Sequence, residues 1–150
     1  MPNRNVSLQH ICCKESDILY YSCYNPTFNA PVFTVHLLYP SNFMRARECS
    51  TPPSSWYHRG FNLLGSTFSG KIYDRGHLVS AGDIQMHKEA VKSTYHVVNR
   101  VAQHETLNSR DWNSYEKKIR AYTNALGYPV CIVTGRCHTQ IEQLSSHEGA

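Results

Sequence analysis

The sequence predicts an α+β domain in which strands flank a polar loop and one long helix lies behind them. Three stretches carry this reading. Residues 32–39, Val-Phe-Thr-Val-His-Leu-Leu-Tyr, are rich in β-branched and aromatic residues and end at Pro40, as a strand should. Residues 107–126 set Trp112, Tyr115, Ile119, Tyr122 and Leu126 at spacings of three and four, with Gly127 and Pro129 closing the pattern, which reads as a helix. Residues 130–134, Val-Cys-Ile-Val-Thr, form a continuous apolar run before Gly135 and read as a buried strand.

The remaining elements follow in chain order. Residues 1–16 have no clear periodicity and read as an irregular segment ahead of a single domain spanning 17–138. Pro52-Pro53, Gly60, Gly65 and Gly70 punctuate residues 41–71, which read as a long connection. Ile72 and Tyr73 then lead into Asp74-Arg75-Gly76-His77, read as a loop or a strand end before Leu78 and Val79. Residues 83–92 suit a short helix with Asp83 as N-cap, and the β-prone residues 95–98 lead into Asn99. Residues 139–150 read as a polar tail.

Composition bounds the function. The chain has 150 residues, 41% hydrophobic and 11% aromatic, which is enough for one core and unlike the composition of disordered chains. Fifteen Lys and Arg against eleven Asp and Glu give a formal charge of +4, a modest lean toward a polyanionic partner such as nucleic acid. No stretch approaches the roughly 18 to 20 apolar residues that span a bilayer, so no membrane partner is expected. Residues 1–7 lack the apolar core of a signal peptide, which leaves the compartment open between an intracellular chain and one whose leader has been removed. Six cysteines, none in a Cys-x-x-Cys pair, argue against a zinc ribbon and leave free thiols and disulfides both open.

Taken alone, residues 74–77 are compatible with a polar surface turn. Asn108, Trp112, Glu116 and Arg120 recur at every fourth position, so they lie along one side of the predicted helix, drifting roughly 40° per step. A solvated face with an ordinary Glu116–Arg120 ion pair would produce the same stripe. It explains less well why the side-chain amides of Asn99, Gln103 and Asn108 gather around the helix start.

Tyr73-Asp74-Arg75-Gly76-His77-Leu78, Asn99-Arg100-Val101-Ala102-Gln103, Leu107-Asn108, Trp112-Asn113 and Glu116 together resemble, in order and spacing, the DNA/RNA non-specific endonucleases of the ββα-metal (His-Me finger) type, endonuclease G-like nucleases included. Weaker likeness at Ser22-Cys23-Tyr24-Asn25-Pro26, Trp56-Tyr57-His58-Arg59 and residues 130–135 extends the resemblance to roughly residues 20–136. It implies a ββα-metal core with a mixed or antiparallel sheet and one long helix. It also implies sequence-non-specific hydrolysis of DNA and RNA with Mg2+, for which Mn2+ could substitute. His77 would be the general base, Asn108 the direct protein ligand to the metal, and Glu116 the group holding a water on that metal. Arg75 and Arg120 would meet phosphate oxygens, Arg59 would add a further phosphate contact, and Asp74, Asn99 and Gln103 would support the site.

Those roles are chemically coherent. Phosphodiester hydrolysis needs an in-line water, a base for its proton, and positive charge on the transition state and the departing oxygen. An imidazole of ordinary pKa is substantially neutral near pH 7 to 8. Magnesium keeps several waters, so one neutral amide oxygen can suffice as protein ligand. The chain departs from the family pattern at Ala102, where Pro is usual, and at Val79-Ser80-Ala81-Gly82, where a Pro-containing segment is usual. Only fifteen residues follow Gly135, which motivates the expectation of a homodimer that covers the strand at 130–134. Two other classes compete: a nuclease-fold module that binds nucleic acid or protein with weak or no catalysis, and a disulfide-rich extracellular interaction domain.

Overall fold

A computed structural model describes residues 7–12, 18–27, 30–41, 72–85 and 88–136. Strands β1 (Ser7–Cys12), β2 (Ile18–Asn25) and β3 (Ala30–Leu38) pair antiparallel in succession. The last strand of the fold pairs antiparallel with β3, His36 opposite Ile132, to complete a four-stranded sheet. Between these strands in sequence lie β4 (Tyr73–His77), helix α1 (Lys88–Ser93), β5 (Arg100–His104) and helix α2 (Asn113–Leu126), followed by that closing strand, β6 (Val130–Gly135). β4 and β5 form a separate antiparallel pair that leads directly into the α2 helix, so the expected α+β class with a two-strand and helix unit stands.

The core sits between the four-stranded sheet and the segments around β4. Leu19 and Tyr20 of β2 pack with Val79, Ile84 and Ala90, and Val98 joins them. Polar anchors fix the same layers: the buried Tyr20 hydroxyl donates to the Ser93 carbonyl at 2.8 Å, and Ser22 Oγ donates to the Val98 carbonyl. The larger sheet is thus a platform for the loop after β4 and for the chain entering β5.

Several local expectations change. Residues 7–12, read as irregular, form β1, where successive residues from Ser7 to Ile11 pair with Tyr24 to Tyr20. The polar run 74–77 is strand rather than loop because its backbone pairs residue by residue with β5. Asp83 does not cap a helix. Ser80 caps the 3-10 turn Ala81–Asp83 by accepting from the Gly82 N–H at 3.2 Å, while Asp83 turns inward. Residues 95–98, expected to form a strand leading into Asn99, instead run through a turn into the 3-10 turn Val97–Asn99, and β5 begins at Arg100.

The long helix opens with a π-turn, Leu107–Trp112, which passes directly into α2. It stops where Gly127 takes a left-handed conformation (φ 73°) and donates its N–H to the Thr123 carbonyl, the ordinary glycine C-terminal solution. Its aromatic stripe is not core: Tyr115 and Tyr122 are 59% and 62% exposed, and the helix buries Thr123 instead. β6 likewise is only partly covered, with Thr134 buried but Cys131 exposed and Val133 66% exposed, because among the described strands it ends the sheet. The Cys23 and Cys131 thiols are free. Among the described residues, no helix is long and apolar enough to cross a membrane. The connection at 42–71 and the tail at 139–150 lie outside the described residues.

Candidate active site

The β4–β5 register sets the first half of the site. Asp74 faces Gln103, Arg75 faces Ala102, Gly76 faces Val101 and His77 faces Arg100. A side chain at Gly76 would overlap Gln103, so the glycine lets the Gln103 amide cross the strand pair. Gln103 Oε1 is buried there without a hydrogen-bond partner. From the first turn of the long helix, Asn108 Nδ2 donates to Asp74 Oδ2 at 3.0 Å. The amide nitrogen is thereby committed, and Oδ1 is the atom of Asn108 that carries lone pairs for another partner.

His77 ends β4. Its ring stands at 89° to the Tyr95 ring with centroids 4.7 Å apart, and the Arg100 guanidinium lies 5.5 Å over Tyr95. Among the described residues Nε2 is enclosed and has no hydrogen-bond partner. Burial, seconded by the Arg100 charge, pushes the imidazole pKa down to about 4, below the ordinary value that the sequence alone suggests. The ring is neutral throughout the physiological range. Arg100 also donates to the Arg75 carbonyl through Nε and Nη2, and its own pKa is lowered, chiefly by burial and then by Arg75. The Arg75 side chain is exposed.

Asn99, fully buried, is a brace. Its Oδ1 accepts from the Val79 N–H at 2.8 Å, and Nδ2 donates to the carbonyls of Val79 at 2.9 Å and Thr94 at 2.8 Å. Its own carbonyl accepts from the Leu78 N–H at 3.0 Å. The two residues after His77 are therefore clamped to the entry of β5, which fixes the strand end that carries the imidazole.

The second half is a polar chain behind the loop. Ser80 Oγ donates to Glu116 Oε2 at 2.7 Å and accepts from Arg120 Nη1 at 3.2 Å. The same Arg120 nitrogen reaches Asp83 Oδ1 at 2.8 Å and lies 3.9 Å from Glu116. Asp83 Oδ2 meets the buried His36 Nε2 of β3 at 3.0 Å. A Cβ at Gly82 would stand 2.8 Å from Arg120 Nη1, so this glycine admits the guanidinium. Burial raises the Glu116 pKa and the Asp83 charge adds to it, against the lowering influence of Ser80 and Arg120. A cleft of about 460 Å³ runs beside this chain, lined by Ser80, Asp83, Trp112, Glu116 and Ile119 on one side and residues 131–135 on the other.

The structure brings Asp74 to Asn108 and Glu116 to Arg120, and sets His77 and Arg75 on the same strand as Asp74. Asn99 and Gln103 flank β5, one at the turn that enters it and the other on the strand. Arg120 shares one nitrogen with Asp83 and Ser80 and is only 25% exposed, so it is more enclosed than a solvent-facing phosphate contact. Arg59 lies outside the described residues. Sequence reading did not single out Ser80, His36, Tyr95, the side chain of Arg100 or the inward role of Asp83. Arg100 stood inside a quoted motif, and its adjacency to Asn99 was the available signal; nothing local marks His36, which sits in an apolar run. Among the described residues, no group of three or more His, Cys, Asp or Glu side chains is placed to hold a metal ion.

Comparison with known proteins bears on the family and the fold. Human mitochondrial endonuclease G is 28% identical over 109 residues, 71% of this chain and 37% of that protein. Mouse mitochondrial nuclease EXOG is 30% identical over 89 residues, 59% of this chain and 24% of that protein. The chain thus spans well under half the length of these relatives. A solved structure of an EndoG/EndoGI complex, described as showing the mechanism of EndoG inhibition, shares the fold at a TM-score of 0.61 and 24% identity, over 90% of this chain and 54% of that one. The model of the DNA/RNA non-specific endonuclease family matches residues 8–143, and the chain belongs to that family.

Proposed function

We propose that this chain is a magnesium-dependent endonuclease that hydrolyses phosphodiester bonds of DNA and RNA without sequence preference, with His77 as general base. The observation that carries the reading is the Asp74–Asn108 hydrogen bond on the strand that ends in a half-buried, neutral imidazole. One strand then presents both a base and the tether of an amide oxygen.

Hydrolysis needs a proton acceptor for the attacking water, and His77 Nδ1 would be the nitrogen that takes that proton. Asp74 holds Asn108 by its nitrogen, which leaves Oδ1 as the atom that would serve as a hard oxygen donor to Mg2+, or to Mn2+ in its place. Bound there, the metal would supply positive charge to the phosphate and to the departing oxygen. Glu116 is held through Ser80 and would orient a water on the metal through its carboxylate. Arg75, exposed on β4, would meet a phosphate oxygen, and Arg120 and Arg59 would add charge. Asn99 and Gln103 hold the strands. These contacts address phosphate, which is common to every base, so both DNA and RNA are substrates in this account.

We also propose that two copies associate through the exposed β6 strand, whose Val133 and Cys131 lack cover. Light scattering giving a monomer mass at micromolar concentration would remove that idea. The test of the main reading is nicking of supercoiled plasmid and cleavage of an RNA of mixed sequence, with Mg2+ and again with excess chelator. Cleavage of both substrates that stops with chelator is expected. Tight binding without cleavage at any Mg2+ or Mn2+ concentration would favour a nuclease-fold binding module instead.

A further inference from the structure

We propose that Tyr95 is a positioning residue: its ring, overlaid by the Arg100 guanidinium, holds the His77 imidazole in one orientation, with Nε2 turned in. The inference rests on His77 acting as general base. Tyr95 follows α1 in a turn secured by two backbone hydrogen bonds, Thr94 N–H to the Val91 carbonyl at 3.1 Å and Tyr95 N–H to the Lys92 carbonyl at 3.0 Å. Its backbone position is therefore fixed independently of the site. From there the ring meets His77 edge to face, at 4.7 Å and 89°, an arrangement that favours aromatic pairs by about 0.5 to 1.5 kcal/mol beyond simple burial.

Orientation by shape matters here because hydrogen bonding does not supply it. His77 Nε2 is enclosed with no donor or acceptor facing it, so no partner atom on that nitrogen selects the ring's rotation. The walls must do so. Arg100 completes the arrangement. It stands opposite His77 in the strand register, lies over the Tyr95 ring at 5.5 Å, and is tied to the Arg75 carbonyl at 2.9 Å through Nη2. Among the described residues, the charged groups near His77 are Arg100 on β5 and, on its own strand, Arg75, and the half-exposed Tyr95 is a further titratable neighbour.

A ring free to rotate would spend part of its time with the wrong nitrogen toward water, which lowers turnover without loosening the substrate. A ring that instead stacked on a nucleobase would mainly set affinity. The experiment compares the full chain with Tyr95→Leu, Tyr95→Phe and His77→Ala, measuring kcat and KM for plasmid nicking with Mg2+, melting temperature, and the His77 imidazole resonances by NMR. Tyr95→Leu is expected to lower kcat roughly 10- to 100-fold with KM within about twofold. Its His77 resonances should shift and titrate at higher pH as water reaches the ring. Tyr95→Phe should restore wild-type kcat and spectra, since the contact needs the ring and not the hydroxyl.

A raised KM with unchanged kcat in Tyr95→Leu would overturn the proposal in favour of substrate stacking. Unchanged His77 resonances in a folded Tyr95→Leu would overturn it outright. If His77→Ala cleaves at the wild-type rate, the general-base reading fails by itself, and the NMR comparison still decides whether Tyr95 holds the ring.

Discussion

If His77 is the general base proposed above, acid should stop cleavage at lower pH than an ordinary histidine base would allow. Burial of the His77 ring, with the Arg100 charge in second place, pushes its pKa down to about 4 from 6.5. At about pH 6 such a group is protonated in roughly one molecule in a hundred, whereas an unperturbed imidazole is protonated in roughly three of four. Initial rates of plasmid nicking at fixed Mg2+ and ionic strength, from about pH 8 down to 4.5, should therefore show no limb near 6.5 from this group. Arg100→Gln removes only the smaller cause, so any histidine limb should move up yet stay below the ordinary value. Glu116, whose pKa is raised chiefly by burial, has its own limb, and a parallel Glu116→Gln titration separates the two.

The same shift carries a stability consequence. Unfolded chains take up the His77 proton near 6.5 and folded chains only near 4, so the unfolded state binds more protons between those values. Stability linked to His77 is complete above about pH 6.5 and is lost as pH falls toward 4. Glu116 has the opposite sign: its raised pKa favours the folded state at low pH, and that contribution fades as pH rises through the folded value. A half-maximal rate at pH 6.5 in wild type, carried over unchanged into Glu116→Gln, would refute the buried, neutral imidazole.

Two asparagines should separate chemistry from stability. Asn108→Ala loses one half-buried hydrogen bond, so its melting temperature should shift little while Mg2+-supported cleavage disappears. Asn99→Ala loses three side-chain hydrogen bonds at a fully buried position and should cost about 2 to 4 kcal/mol in denaturant unfolding; equal unfolding in both variants would make Asn108 structural. Cleavage should weaken steeply with salt, with a log–log slope for substrate affinity of about −2 to −3 if Arg59, Arg75 and Arg120 each displace a counterion. A flat salt profile would mean that these arginines do not face the nucleic acid.

Long-period patterns were readable in the sequence, and so was the linked set of motifs. The strand around residues 32–39 and the helix ending at Gly127 follow from β-branched content and from 3.6-residue spacing with a glycine stop. Asp74, His77, Asn108 and Glu116 were named through the resemblance of the linked motifs to the non-specific endonucleases, whereas helical spacing alone marked only the stripe of Asn108, Trp112, Glu116 and Arg120. What local reading missed depends on distant partners. β1, Ser-Leu-Gln-His-Ile-Cys, shows no clean alternation of apolar and polar residues and exists through pairing with β2; Asp83 looks like a helix cap until His36, 47 residues away, and Arg120 claim its carboxylate. The apolar run 130–134 signals a buried strand, yet edge position in the sheet leaves Val133 at the surface. Tyr95 gave no signal, since its contact with His77 is made across two elements.

The most direct test of the account is cleavage and thermal unfolding measured on one preparation of His77→Ala. A neutral imidazole that accepts the proton of the attacking water predicts a roughly 10²- to 10⁴-fold lower rate with nucleic acid and Mg2+ binding retained, because removing the base raises the barrier without removing a phosphate contact. A folded His77→Ala that turns over at the wild-type rate would contradict it.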